Sequence, residues 1–179
     1  MDKKSEDALI KAAKSGDRHA FERLINHYYD VIFKFACKWC GNASDAEDIT
    51  QDACIKLARF IGKYDGKAAF TSWLYRLVIN CGKDWYKSQN RHPTPNPDTL
   101  ERVKTESKSE DQLYAKQVIN ALYQLPEGEK DAVILVLSEG LSHKEAAKAL
   151  GCKESTISWR VHEARKKLSA QFKEEQSYG

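Results

Sequence analysis

The stretch LSHKEAAKALGCKESTISWRVHEARKKL, from Leu141 to Leu168, constrains this chain more tightly than any other. Ser142 is a good helix N-cap, and Glu145 three residues on completes a capping box, in which each side chain meets the other residue's backbone N–H. Ala146, Ala147 and Leu150 give that first helix a small apolar face, so a second helix can approach closely. Gly151 stands where the helix must stop and turn, because glycine takes the left-handed conformation without steric cost. Ile157, Val161, Ala164 and Leu168 then fall at i, i+4, i+7 and i+11, one stripe at helical period. The other faces of this second helix carry Ser155, Thr156, Ser158, Trp159, Arg160, His162, Arg165, Lys166 and Lys167. Helix, tight turn, and a second helix with an exposed polar and basic face make a helix-turn-helix, whose second helix enters the major groove of duplex DNA. The plainer reading is a helical hairpin with a solvated basic face. Between Lys153 and Lys173, however, six Lys or Arg stand against two Glu, a local charge of +4. The hydroxyl and amphipathic groups also gather at the start of the second helix, where base edges would be reached.

The length of 179 residues allows one domain or two small ones. With 41% hydrophobic and 31% charged residues, the chain can build a core and keep a charged surface. The longest apolar run, Ala132 to Leu137, is far too short to span a bilayer, so no direct membrane insertion is expected. The first residues, MDKKSEDALIKAAKSG, lack the apolar core of a signal peptide, and a cytoplasmic protein is expected. A net charge of +3 identifies no partner, but its distribution says more. Lys67 to Arg91 holds five basic residues and one acid, Asp84, again a local +4. Two separated basic stretches suit a protein that touches a polyanion at two places.

Helical periodicity runs through nearly the whole chain. Ala8, Ile10, Ala12 and Ala13 open a short helix ending near Gly16, and Asp17 caps a longer one. Along the longer helix Phe21, Leu24, Ile25, Tyr28, Ile32, Phe35, Ala36 and Trp39 recur at threes and fours up to Gly41-Asn42. Ser44 starts the next helix, with Glu47 completing a second capping box. Its inner stripe is Ile49, Ala53, Leu57 and Phe60. Asp45, Asp48 and Asp52 lie on another face, with Glu47 and Gln51 beside them. Acids near a helix N-terminus complement the dipole by about 0.3–1 kcal/mol each, which accounts for Asp45 and Glu47 but does not reach Asp52. An acidic and amide face on a basic protein is therefore a candidate partner surface.

Ile61 to Ala69 reads as a loop around Gly62 and Gly66. Phe70 opens a further helix with Phe70, Trp73, Leu74, Leu77, Val78 and Cys81 inside. Its outer positions include Arg76, Asn80, Lys83, Asp84 and Lys87, with Trp85 and Tyr86 nearby. Aromatic rings among Lys and Arg suit single-stranded nucleic acid: charge for the backbone, rings for the bases. Phe70 and Trp73 read as core; for Tyr64 and Tyr86 core and contact stay open.

Ser88 to Lys108 is polar and holds three of the four prolines, Pro93, Pro95 and Pro97, a spacing that no helix survives. The expectation is an all-α chain of two small helical domains joined by a Pro-rich linker: residues 1–91, linker 92–109, and 110–179. In the second domain Ser109 with Gln112 caps a helix bearing Leu113, Val118 or Ile119, and Leu122. Pro126 fits the first turn of the next helix, which Ala132, Val133, Leu135, Val136 and Leu137 bury and Gly140 ends. The helix-turn-helix follows, and then a polar tail.

The five cysteines, Cys37, Cys40, Cys54, Cys81 and Cys152, are odd in number and scattered through helical patterns, as reduced thiols are. Cys37 and Cys40 form a C-x-x-C, but no thioredoxin-like setting accompanies it, and His27 alone does not complete a metal site. No metal and no cofactor are expected. Gly-rich phosphate loops, nucleophile elbows and paired-His zinc motifs are missing from the sequence, and its five histidines are dispersed. An enzyme is not expected.

In this order the elements resemble the bacterial RNA polymerase sigma factors of the sigma-70 family, in the small two-domain extracytoplasmic-function group. DAEDITQDACIKLAR (45–59) resembles the group's polymerase-clamp-binding helix. FTSWLYRLVINCGKDWYK (70–87) resembles its promoter-melting helix, and residues 125–168 its C-terminal helix-turn-helix. The resemblance implies binding of core RNA polymerase through Asp45, Asp48, Gln51 and Asp52. It implies that the first domain holds the −10 element as single strand, with Lys63, Tyr64, Lys67, Asn80, Lys83, Asp84 and Lys87 along it and an unstacked base against the 63–69 loop. The second domain would read the −35 element as duplex through Ser155, Thr156, Ser158, Trp159, Arg160, His162, Arg165 and Lys166. An anti-sigma factor is the further partner implied. Two residues depart from the group's pattern: Glu163 stands where a basic residue is more common, and Trp159 where a small polar one is. The alternative is a free-standing helix-turn-helix regulator that binds duplex DNA without polymerase; it leaves residues 45–87 without a role.

Overall fold

A computed structural model describes residues 2–96 and 120–177, the side chains of the second stretch as far as residue 171. All regular structure among these residues is helical. The chain divides into two compact units, Met1–Cys37 with Ala43–His92, and Lys38–Asn42 with Pro93–Gly179.

The first unit begins with α1, Lys3–Lys14, which starts five residues before its apolar pattern does. Its start is set by Asp2, whose carboxylate accepts the Ser5 N–H at 2.9 Å, an N-cap ahead of any buried residue. Leu9, Ile10 and Ala13 are buried, and Gly16, at φ +91°, turns the chain. Asp17 then caps α2, Arg18–Cys40, accepting the Ala20 N–H at 3.0 Å. Leu24, Tyr28, Ile32, Phe35 and Ala36 form its buried stripe, none more than 4% exposed. Each of the large ones contributes about 1.5–3 kcal/mol by burial.

The next helix, α3, spans Ala43–Phe60. It begins two residues earlier than the Ser44 capping box requires: Asn42 directly precedes the helix and Ser44 lies inside its first turn. Ala46, Ile49, Ala53 and Leu57 are fully buried at i, i+3, i+7 and i+11. They face α4, Phe70–Ser88, on which α3 packs and which buries Leu74, Val78 and Cys81. Phe35 stacks on Tyr75 with centroids 4.3 Å apart, tying α2 to α4. A 3-10 turn, Ile61–Lys63, carries α3 into the loop that reaches Ala69.

In the second unit residues 120–124 are helical. The linker beyond residue 96, the Ser109–Gln112 cap and the stripe from Leu113 to Ile119 lie outside the described residues. Pro126 stands one residue ahead of α5, Glu127–Val133, rather than within its first turn; its carbonyl accepts the Glu129 and Lys130 N–H groups at 2.9 and 3.0 Å. A π-helical turn, Ile134–Ser138, follows, with the Glu139 N–H donating to the Ile134 carbonyl at 3.0 Å. That wider turn delays the helical phase. Ala132, Val133, Ile134 and Leu135 stay buried, but Leu137, which the sequence pattern places in the core, turns outward and is 49% exposed. Gly140, at φ +70°, ends the run.

Two helices close the unit, α6, His143–Leu150, and α7, Glu154–Ser177. Both α5 and α6 pack on α7. Leu125 and Val133 meet Ala164, with Leu122 and Leu168 against them. The capping box is present: the Ser142 side chain accepts from the Glu145 N–H at 3.2 Å, and Glu145 accepts from the Ser142 N–H at 2.9 Å. Gly151 takes φ +65°, and the Cys152 N–H closes the turn on the Ala147 carbonyl at 3.0 Å. Ile157, Val161 and Ala164 are buried as the stripe requires, with Leu168 partly covered.

Candidate functional site

Three groups of polar side chains were singled out by the sequence, and the fold places each on an identifiable surface. On α3, Asp48, Gln51 and Asp52 are exposed. Asp45 is not free in the same way. Its carboxylate accepts the Tyr86 hydroxyl at 2.6 Å and lies 3.4 Å from the Arg91 guanidinium, with 13% of its side chain exposed. Ile55, missed in the sequence, is 50% exposed. It lies seven residues after Asp48 and on the same side of α3, because seven residues make two helical turns. The signal was available: Ile55 is out of phase with Ile49, Ala53 and Leu57 and in phase with the acids.

The second group lies on the 61–69 loop and α4. Tyr64 is partly buried, with its ring 5.1 Å from Phe70 and 5.6 Å from Trp73. Its hydroxyl donates to the Ala68 carbonyl at 2.6 Å, and its own carbonyl accepts the Lys14 ammonium at 2.5 Å. Burial, and then the nearby carboxylates of Asp7, Glu6 and Asp65, raise the Tyr64 pKa, so the phenol stays protonated. Asp65 accepts the Lys67 backbone N–H at 3.0 Å, which holds its carboxyl below the usual carboxylate value. Gly66 follows at φ +74°, a conformation that costs a side chain about 1–2 kcal/mol. The loop is therefore shaped by its own backbone bonds and pinned to α1.

Between the loop and α1 opens a cavity of about 370 Å³, lined by Asp7, Ile10, Lys11, Lys14, Tyr64 and Asp65 among others. The α1 wall has no sequence signature, since Asp7, Lys11 and Lys14 carry no pattern beyond an exposed helix face. Lys63 is exposed, its ammonium 4.8 Å above the Phe60 ring. Asn80, Asp84 and Lys87 are exposed and Lys83 half-buried, along about 10 Å of α4. Asp84 is paired with Lys56 at 2.7 Å. Tyr86, left open by the sequence, is buried and serves the fold.

The third group lies on α7. Ser155, Ser158, Trp159, His162, Arg165 and Lys166 are exposed, opposite Ile157, Val161 and Ala164. The Ser158 hydroxyl lies 2.9 Å from His143 Nδ1 and donates to the Glu154 carbonyl, joining the start of α6 to α7. Thr156 and Arg160 are half-buried. The Arg160 guanidinium lies so close to α5 that a Cβ on Gly128 would stand 2.9 Å from its Cζ. Lys167 reaches Glu129 at 2.6 Å, a carboxylate only 5% exposed. Arg165 and Lys166 thus carry the basic character of the outward face, while Arg160 and Lys167 border α5.

Cys37, Cys40 and Cys81 are buried, and burial pushes the Cys81 thiol up to about 11. Among the described residues no three His, Cys, Asp or Glu side chains converge as metal ligands would.

Comparison with known proteins agrees with this arrangement. The family model for sigma-70 region 2 matches residues 24–92, and that for sigma-70 region 4 matches residues 115–168. The chain is 28% identical over 178 residues to the ECF RNA polymerase sigma-E factor of Haemophilus influenzae, covering 92% of this chain and 93% of that one. It is 31% identical over 166 residues to the ECF RNA polymerase sigma factor SigM of Mycobacterium tuberculosis, covering 93% and 84%. Its fold is similar to that of the sigma factor RpoE from Bartonella quintana, solved in complex with the anti-sigma factor NepR, at a TM-score of 0.65 and 23% identity over 86% of this chain and 96% of that one. Two sigma-70 regions matched in order, with relatives aligned along nearly their whole length, make the chain a member of the extracytoplasmic-function group of sigma-70 family RNA polymerase sigma factors.

Proposed function

We propose that this sigma factor binds core RNA polymerase through the outer face of α3 and gives it promoter choice at two elements. Residues 1–91 take the polymerase and the −10 element, 92–109 connect, and 110–179 read the −35 element. The observation that carries the reading is the pairing, in one chain, of an exposed acidic face with an outward basic helix face. Asp48, Gln51 and Asp52 occupy the two turns before exposed Ile55 on the same side of α3, while Arg165 and Lys166 stand on α7 beside exposed hydroxyl and ring groups. An apolar centre with a charged rim is the usual anatomy of a protein interface. A positive helix following a tight turn is the usual reader of a major groove.

On the −10 side, an unstacked base enters the cavity between α1 and the 63–69 loop, whose volume of about 370 Å³ holds a nucleobase with room for solvent. Lys63 and Lys67 meet the phosphates beside it, and Asn80, Lys83 and Lys87 continue the track along α4. Unstacking costs a few kcal/mol, so the melted strand has to be caught by rings and charges. The role is binding rather than catalysis, and it is performed in the cytoplasm, where the polymerase works. Among the described residues no helix is long and apolar enough to cross a membrane. An anti-sigma factor is a further partner, a reading supported by the complex in which the similar Bartonella sigma factor was solved, and the exposed α3 face is where it would compete with polymerase.

The test is co-elution with purified bacterial core RNA polymerase on a sizing column. Wild type is expected to co-elute, and Asp48→Arg with Asp52→Arg to elute alone while remaining folded. Failure of wild type to co-elute, together with tight binding of duplex DNA by the protein alone, would replace this reading with the free-standing regulator.

A further inference from the structure

Trp159 is the most exposed large hydrophobic side chain described in the molecule, at 59%. It is not stray core. Ser155, Trp159, His162 and Lys166 fall at i, i+4, i+7 and i+11 on α7, and all four are exposed. Ile157, Val161 and Ala164, on the other side of the same turns, are buried against α5 and α6. The indole therefore projects outward from the second turn of the helix that follows the tight turn, the part of a helix-turn-helix that meets base edges. Its Nε1–H has no hydrogen-bond partner among the described residues. Beside it Ser158 is held by His143 and by the Glu154 carbonyl, so that turn is anchored to its neighbour α6.

The chemistry of the side chain narrows what it can read. Indole offers a flat apolar surface and one donor, and it has no acceptor. Cytosine presents only an amino donor in the major groove, and adenine an amino donor beside its N7 acceptor; indole has no acceptor for either amino group, and neither base offers a methyl. Guanine presents two acceptors and no apolar group. Thymine alone combines an acceptor, O4, with an apolar C5 methyl. A large ring left in water at this place, among hydroxyl and basic groups suited to phosphates, matches that combination.

We infer that Trp159 selects thymine at one position of the upstream promoter element, with its ring on the C5 methyl and its Nε1–H directed at O4. The inference rests on the reading that α7 lies in the major groove of the −35 element. A consequence is that the −35 preference of this sigma factor carries a thymine for which a small polar side chain at 159 would not select.

The experiment uses holoenzyme assembled from purified core RNA polymerase and the full chain, at one fixed salt concentration. Promoter duplexes randomised across the upstream element are selected by binding and sequenced, for wild type, Trp159→Ala and Trp159→Phe. Wild type is expected to fix thymine at one position. Trp159→Ala should lose the preference there while keeping it elsewhere, and Trp159→Phe should keep it in part. A second measurement places deoxyuridine at that position, which removes the methyl alone. Wild-type affinity should fall about fourfold, the effect of one methyl group returned to water, and Trp159→Ala should not distinguish the two duplexes. Because the side chain is exposed, Trp159→Ala should still co-elute with polymerase, which separates lost reading from lost folding. An unchanged thymine preference in Trp159→Ala, or equal binding of thymine and deoxyuridine by wild type, overturns the inference and leaves the −35 reading standing. Selection of no upstream sequence at all by wild-type holoenzyme overturns the −35 reading and this inference with it.

Discussion

The Tyr86 hydroxyl donates to the Asp45 carboxylate at 2.6 Å, tying the last turn of α4 to the first turn of α3. Arg91 approaches the same carboxylate at 3.4 Å. Asp45 thus holds two helices in register, whereas Asp48 and Asp52, on the same helix, face outward. Tyr86→Phe is expected to lower stability by about 1.5 kcal/mol, the low end for a hydrogen bond to a charged acceptor, as measured by urea unfolding. Co-elution with polymerase should survive it. Loss of polymerase binding with an unchanged unfolding midpoint would mean that Tyr86 and Asp45 belong to the interface instead.

Ile55 should behave as the anchor of the α3 face. The minority of interface residues whose truncation costs more than 1 kcal/mol cluster at the centre of the interface; with Ile55 as the apolar centre of this face, Ile55→Ala is expected to weaken polymerase binding about tenfold. Ile55→Glu, which places a further acid among acids and removes the apolar contact, should weaken it more. Because the side chain is half exposed, both variants should unfold within about 0.5 kcal/mol of wild type. Equal polymerase affinity for Ile55→Glu and wild type, in a titration followed by anisotropy, would remove Ile55 from the surface.

The capping box predicts a pH-dependent contribution to the helix-turn-helix. Hydrogen bonds from the Ser142 side chain, and then from its backbone, hold the Glu145 carboxyl below its ordinary value of 4.5. A lowered carboxylate pKa stabilises the folded state fully above the unfolded value, and the contribution is lost as pH falls through the folded one. Ser142→Ala should therefore cost about 1 kcal/mol near neutral pH. The gap from wild type should narrow in acid as Glu145 protonates. A constant gap from pH 7 to pH 3 in thermal unfolding would show that Glu145 takes no part.

Thiol accessibility follows burial. Cys37, Cys40 and Cys81 are buried, and Cys81 is raised to about 11 by that burial, so its reactive thiolate is scarce at neutral pH. Cys54 and Cys152 are partly exposed, although burial also raises Cys54. Alkylation of the native protein with iodoacetamide, read by peptide mass spectrometry, should label Cys152 and then Cys54, and the other three only after unfolding. Fast labelling of Cys37 or Cys40 in the native state would reopen a chemical role for the C-x-x-C.

Much of the fold was legible because its signals are local. The Ser142–Glu145 box spans three residues, the Gly151 turn depends on one backbone conformation, and the Ile157–Ala164 stripe repeats at one period. Local patterns mislead where a longer-range or less regular feature intervenes. A period of 3.6 residues per turn places Leu137 in the core, and the π-helical turn from Ile134 to Ser138 breaks that period. At α3 a good cap at Ser44 lay one residue inside a helix that begins at Ala43.

Among the described residues, local patterns are enough to read the main helices, the place of the tight turn, and the presence of an acidic helix and a basic one in the same chain. Periodicity and capping act between residues at most four apart, so one sequence suffices to read them. Which polar groups remain available depends instead on how the helices pack. Asp45 is met by a hydroxyl 41 residues away and Lys56 by a carboxylate 28 residues away. Arg160 lies along Gly128, while Trp159, its neighbour in sequence, stands free in solvent. Such pairings depend on how whole helices pack. Packing brings together residues with no local pattern in common, and it separates neighbours by the 100° that each residue turns on a helix.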